Sequence, residues 1–458
     1  MVPVPLRTFY VDAANGSDAA NGTSPTTPWR TLGQANQTVQ PGDLVLVGGT
    51  FLDQVIHPGT SGTTMAPIVY RVWPGATAAL DSGQSGVIVW LDGLSNIVVD
   101  GLELRNVAYA VTLNSGSNHN WLRNLQIHDV TSEAVQIIGG SDNRLEDSNI
   151  QRCGNAAANA GDCIWIADNA HRNVIVRNTA AYGGHGIIVT GSDKTSVQPS
   201  YDNVVALNDF ANPWASNTNL IGYARRTVIE CNRLHSASTS GINYPRTGIQ
   251  ITADSNIVRY NEIFANTADG IQLAGYTYQG LLQYARSNSV YNNTVWGNGG
   301  AGLQLFQADA SQVANNVIEN NIFWGNNTSS DPTTSRSYNG SYWDIWVDLY
   351  HAISDWPAGS LNGNVVRNNL AAKDAANIGQ GWLIIVPPGG NNRYYTMAQA
   401  QATFPNVAAN LQPDPLFMNA AGFDFRLQAT SPAINAGLVI PGIPYLGTAP
   451  DLGAHEMQ

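Results

Sequence analysis

The chain has 458 residues, of which only 12% are charged, with a formal net charge of −12, 45 glycines and three cysteines. An acidic surface repels nucleic acid and anionic membranes, which counts against both as partners. No run is long and apolar enough to span a bilayer, and Cys153, Cys163 and Cys231 are too few for a disulfide framework.

Residues 1–64 read as a cap. The opening Met1-Val2-Pro3-Val4-Pro5 lacks the charged start and apolar middle of a signal peptide. The composition suits a secreted protein whose export signal has already been removed. Thr8–Val11 forms a short strand, and the spacing of Leu32, Ala35 and Val39 predicts a short amphipathic helix. Such a helix would cover the open end of a stacked array. The Asp/Asn cluster at 12–21 offers oxygen ligands to a Ca²⁺ ion, but ordinary Asx-turns are the simpler reading.

From residue 65 to 390 the chain repeats itself. An apolar–variable–apolar line recurs at Val111–Leu113, Val135–Ile137, Ile164–Ile166, Ile187–Val189, Ile249–Ile251, Ile271–Leu273, Leu303–Leu305 and Ile345–Val347. That alternation is strand periodicity. A second, Asn-closed line recurs at Asn173–Asn178, Asn203–Asn208, Asn256–Asn261, Asn288–Asn293, Asn316–Asn321 and Asn364–Asn369. The closing asparagines Asn149, Asn178, Asn208, Asn232 and Asn261 are spaced for three short strands per coil, with no helical pattern between them. The predicted architecture is an all-β, single-stranded parallel β-helix, each coil about 4.8 Å above the last. Apolar positions face inward and the asparagines stack at one corner as an amide ladder. One coil, near Asn219-Leu220-Ile221-Gly222, reads as irregular. Cys153 and Cys163 flank Gly154–Asp162; buried thiols are the expected state, a loop-closing bridge the alternative. Residues 391–458 read as an extended tail whose Phe and Leu side chains lie along the outside of one continuous domain, expected to be monomeric.

Stacked in register, the residue two before each first apolar position forms a column: Tyr109, Glu133, Asp162, His185, Thr247, Asp269, Ala301. Glu133, Asp162 and His185 come from consecutive coils. Two neighbouring carboxylates separate their proton affinities, as glycosidic cleavage requires. His185 would tune the pair or donate to a sugar oxygen. The variable positions Gln136, Trp165, Gln250 and Gln272 form a candidate sugar-binding wall, flanked by Arg246, Asp269 and Tyr276. Gln is also a common solvent-facing strand residue, and Asp269-Gly270-Ile271 matches an ordinary tight turn entering a strand.

Asp162-Cys163-Ile164-Trp165-Ile166, followed by His185-Gly186-Ile187-Ile188-Val189, resembles the Asp-Asp-Cys-Ile-Ala-Ile and Gly-His-Gly-Ile signatures of polygalacturonase-type glycoside hydrolases. The resemblance implies that Asp162 matches the second Asp of that pair and His185 the active-site His. Gly161 stands where the family's first Asp would be, and the Asn-Thr-Asp and Arg-Ile-Lys motifs are missing. The ends, Tyr10–Asp18, Pro41-Gly42-Asp43 and Asp451–Ala454, resemble secreted bacterial right-handed β-helix proteins of the pectin-lyase-like group. That group implies the fold and a polysaccharide or oligosaccharide ligand. The leading expectation is a hydrolase using Glu133 and Asp162. The alternatives are a lyase acting on a uronate polymer through Arg246, Lys194, Asp162 and Asp269 with Ca²⁺ or Arg assistance, a uronan epimerase, and a non-catalytic glycan-binding surface protein. No cofactor other than that Ca²⁺ is called for.

Overall fold

The computed structural model describes residues 4–457 except 115, 156–160, 192–197, 239–245, 279–280, 309–312, 329–336, 339–340, 343, 349–360, 373–380 and 387–391. It divides into two compact units, Met1–Phe210 and Ala211–Gln458.

The first unit starts with a cap. Strand Arg7–Asp12 lies parallel to Asp43–Leu52, and the helix Leu32–Thr38 joins them. Thr31 starts that helix by accepting from Gln34 N, which satisfies one of its orphan donors. Leu32, Ala35 and Val39 are buried, as the spacing predicts. In the Asp/Asn cluster Asp12 and Asn21 make Asx-turns, while Asp18 bonds across to the start of the cap helix. Asp12 Oδ1 accepts from Ala14 N and Asn15 N, Asp18 Oδ1 from Arg30 N and Thr31 N, and Asn21 Oδ1 from Thr23 N and Thr27 Oγ1.

Parallel coils follow. In one sheet Val111, Val135, Ile164 and Ile187 are successive backbone partners, as are Leu113, Ile137, Ile166 and Val189. All eight side chains are buried. Fully burying side chains of this size stabilises by roughly 1.5–3 kcal/mol each, but only because the next coil supplies the other wall. The second strand of each coil (Trp121–Arg123, Arg144–Glu146, Val174–Val176, Val204–Ala206) and the third (Gln126–Val130, Asn149–Cys153, Thr179–Ala181) stack in the same way.

Amide ladders mark the corners. Asn120, Asn143, Asn173 and Asn203 bond in series, each backbone N–H donating to the next Oδ1 at 3.0 Å. At the next corner the series is Ser148, Asn178, Asn208. Asn149 is therefore not a rung; Ser148 takes that place and Asn149 is exposed. The residue before each rung is left-handed, with φ 52° at Asp147, 57° at Arg177 and 58° at Leu207. A non-glycine residue there costs on the order of 1 kcal/mol or more, which the rung's hydrogen bonds offset. Cys153 and Cys163 are joined in a disulfide with Cα atoms 5.2 Å apart. The bridge replaces the expected thiols because the parallel coils bring Cys153, at the end of one strand, beside Cys163, at the entry to the next.

The second unit repeats the scheme. Thr218–Ile221, Ile249–Thr252, Ile271–Tyr278, Leu303–Gln307, Ile345–Asp348 and Gly381–Val386 stack in one parallel sheet. The coil read as irregular is in register, with Leu220 paired to Ile251. Thr218 fills an inward position usually held by an aliphatic residue, which hid the pattern. Asparagine ladders run through Asn256–Asn288–Asn316–Asn364, Asn261–Asn293–Asn321–Asn369–Asn410 and Asn266–Asn298–Asn326. A helix, Met397–Thr403, interrupts the region expected to be extended. Its signal was present in the sequence: Thr396 and Gln399 form a capping box. Beyond it Phe417–Asn419 pairs antiparallel with Asp424–Leu427. Phe417, Phe425 and Leu427 pack on Phe264, Trp324 and Leu452, as the tail's apolar residues predict. Asn292, Asn320 and Asn368 donate to the tail carbonyls of Asp451, Leu438 and Ala436.

Candidate active site

The column of the first unit exists as read. Val135, Ile164 and Ile187 are direct partners, so Glu133, Asp162 and His185 occupy equivalent places on consecutive coils. Backbone bonds hold that entry edge: Ala134 N donates to Asp162 O and Cys163 N to His185 O, each at 3.0 Å. Asp162 Oδ1 accepts from His185 N at 2.9 Å and from His185 Nδ1 at 2.8 Å. The second bond fixes the ring with its proton on Nδ1 when neutral, placing the lone pair on Nε2. Asp162 is part-exposed and His185 8% exposed. Glu133 is part-exposed, and its Oε2 accepts from Ser132 Oγ at 2.6 Å. Ser132 had no functional assignment in the sequence, since a serine before an acid is common in turns.

Gly161 explains the departure from the polygalacturonase signature. Its φ is +94°, and a Cβ there would lie 2.4 Å from Gly154 Cα and 2.7 Å from Ser132 O. Both obstacles are backbone, so no side chain fits where that family carries its first Asp.

The outward positions of this sheet run Trp90, Thr112, Gln136, Trp165, Ile188 in direct register. Gln136 and Trp165 are part-exposed, on the same strands as the acids. Trp90 is 44% exposed. The sequence signal for it was its place between Val89 and Leu91, the same place Trp165 holds between Ile164 and Ile166.

Arg246, Gln250, Asp269, Gln272 and Tyr276 belong to the second unit, where the corresponding positions are closed. Gln250 is 4% and Gln272 7% exposed. Gln250 Nε2 donates to Gln272 Oε1 at 2.6 Å, and Gln272 Nε2 to Gln304 Oε1. The expected solvent-facing wall is thus a buried amide ladder. Asp269 is 1% exposed and accepts from Ala301 N on the next coil at 2.7 Å, the same inter-coil bond that Asp162 accepts from His185 N, but here in a closed position. The column here continues with Ser216 and Thr247, whose hydroxyls bond at 2.8 Å. Arg246 and Tyr276 are half-buried. Lys194 lies outside the described residues.

The family model described as "Right handed beta helix region" matches residues 220–339. The solved structure of pectate lyase Pel9A superposes with a TM-score of 0.52 at 18% identity, covering 100% of this chain and 98% of that one. The chain is a right-handed parallel β-helix. At that identity the likeness establishes the β-helix fold alone. The uncharacterised protein YwoF of Bacillus subtilis is 24% identical over 93% of this chain and 92% of its own length. A lacto-N-biosidase of Bifidobacterium longum subsp. longum is 40% identical over 72 residues, 14% of the β-helix chain and only 4% of that protein's length. No helix among the described residues is long and apolar enough to cross a membrane.

Proposed function

We propose that the protein is an extracellular carbohydrate-active enzyme that cleaves glycosidic bonds at Glu133, Asp162 and His185. The observation that carries the reading is the stacking of two carboxylates and an imidazole on consecutive coils, with Asp162 and His185 hydrogen-bonded. Two donors converge on Asp162 Oδ1, an arrangement that suits a carboxylate. Asp162 is therefore assigned the anionic role, as base or nucleophile, and Glu133 the role of proton donor to the leaving oxygen. His185 holds Asp162 in place through the Nδ1–Oδ1 bond. The segment shared with a protein named as a lacto-N-biosidase is consistent with hydrolysis.

A lyase is the second reading, motivated by the fold shared with a pectate lyase. Of its expected residues, Asp269 is 1% exposed and bonded to the next coil at Ala301 N. One experiment separates the two. A panel of neutral and acidic polysaccharides is incubated with the protein, and reducing ends and ultraviolet absorbance are followed together. Hydrolysis releases reducing ends without new absorbance, and β-elimination gives both. Glycan retention without either would favour the non-catalytic binding protein.

A further inference from the structure

The exposed ring of Trp90 is outside the acid–imidazole column and unexplained by it. Trp90 is held rather than free. The bridge between Ile56 and Val89 places His57 beside it on the preceding coil. The His57 ring stacks on the indole at 4.5 Å and 18°, and His57 Nδ1 donates to Trp90 O at 2.7 Å. His57 stacks on one face of the indole, and 44% of Trp90 stays exposed. Single exposed apolar residues are common on protein surfaces; what recommends Trp90 is that its exposed ring is held in one orientation by His57. Flat aromatic faces bind the C–H faces of sugar rings, and a preorganised one does so with little entropy loss.

Register supplies the second argument. Trp90, Thr112, Gln136 and Trp165 follow one another on consecutive coils. Trp90 and Trp165 are thus three coils apart, ~14 Å along the coil axis, and Trp165 shares its strand with Asp162. Two aromatic rings in line, with an amide between them, form a track longer than one sugar ring. We propose that Trp90 is a distal sugar-stacking platform for the Glu133–Asp162–His185 column, and that the ligand is an oligosaccharide lying along the coil axis. This rests on the reading of that column as a glycan-cleaving site.

The test uses the full chain and its Trp90→Ala, Trp90→Phe and His57→Ala variants. Probes are xylan, homogalacturonan, β-glucan and galactan, each as polymer and as disaccharide. Retention in affinity electrophoresis and turnover are both measured. On the retained polymer Trp90→Ala is expected to bind about tenfold more weakly, with a smaller loss on the disaccharide. Trp90→Phe should recover most of the affinity, and His57→Ala should fall between. Equal polymer affinity in Trp90→Ala and the parent overturns the proposal, even if cleavage stands. Lost retention without turnover in the parent upholds the platform and removes the cleavage reading. Retention of no probe by the parent overturns the platform as well.

Discussion

The two units use one coil design to opposite ends. In the first, the outward sheet positions carry partly exposed Gln136, Trp165 and Trp90, and the entry column carries Glu133, Asp162 and His185. In the second, the same positions carry Gln250, Gln272 and Gln304, buried and bonded to one another, and the column carries Ser216, Thr247 and Asp269 satisfied within the fold. Coil stacking is therefore not what makes a site. A position becomes chemically available where the residues around it leave it facing solvent, and structural where the next coil's partner saturates it.

The largest effect expected on this contrast is catalytic. Asp162→Asn and Glu133→Gln should each lower turnover about 10²–10⁴-fold, while Asp269→Asn in the second unit should not. Steady-state kinetics on whichever polysaccharide is cleaved decides this, and full activity in either first-unit variant removes that residue from the mechanism.

Loss of a ladder rung should give the next largest effect. Asn293 donates to Val258 O and Asn321 Oδ1 and accepts from Asn261 N. Asn293→Ala strands these buried partners, at a cost of about 2–3 kcal/mol, read as a lower chemical-denaturation midpoint. A comparable but slightly smaller loss is expected in the first unit for Cys153→Ser/Cys163→Ser. That change opens a bridge spanning a sequence separation of 10, worth about 2–3 kcal/mol in the chain-entropy account. A midpoint unaffected by reductant would count against a stabilising bridge.

Ion pairing gives the smallest effect. In the first unit, Arg152 with His128, Arg172 and Arg177 hold Asp129, Asp142 and Asp147 respectively below the ordinary carboxylate range through direct hydrogen bonds. The pKa of each is lowered on folding, so its contribution is present above the unfolded value and lost as pH falls through the folded one. Stability should thus decline below about pH 4. These pairs are largely exposed, so Asp129→Asn should cost less than about 1 kcal/mol near neutrality. A denaturation series in pH should show the variant losing less on acidification than the parent.

The fold was legible because stacking makes each coil impose its pattern on the next. The apolar lines, the cap helix at 32–38 and the alignment of Glu133, Asp162 and His185 all follow from periodicity alone. Local signals that compete with periodicity were harder to weigh. Thr218 disguised a regular coil, Asn149 mimicked a rung that Ser148 occupies, and the capping box at Thr396 was masked by the fading repeat. What only the tertiary structure decided is access and partnership. Gln136 and Gln272 hold the same place in the same pattern, yet one is part-exposed and the other is locked in a buried ladder. Cysteine spacing left bridge and thiol both open, and only the approach of the two Cα atoms to 5.2 Å decided for the bridge. Gly161 became intelligible only when the backbone of Ser132 and Gly154 was seen to fill the space a side chain needs. Periodicity determines which residues become neighbours, because hydrogen-bonded strands repeat at a fixed spacing. Which of those neighbours meet solvent depends on how the chain packs between repeats, and that packing has no period to read.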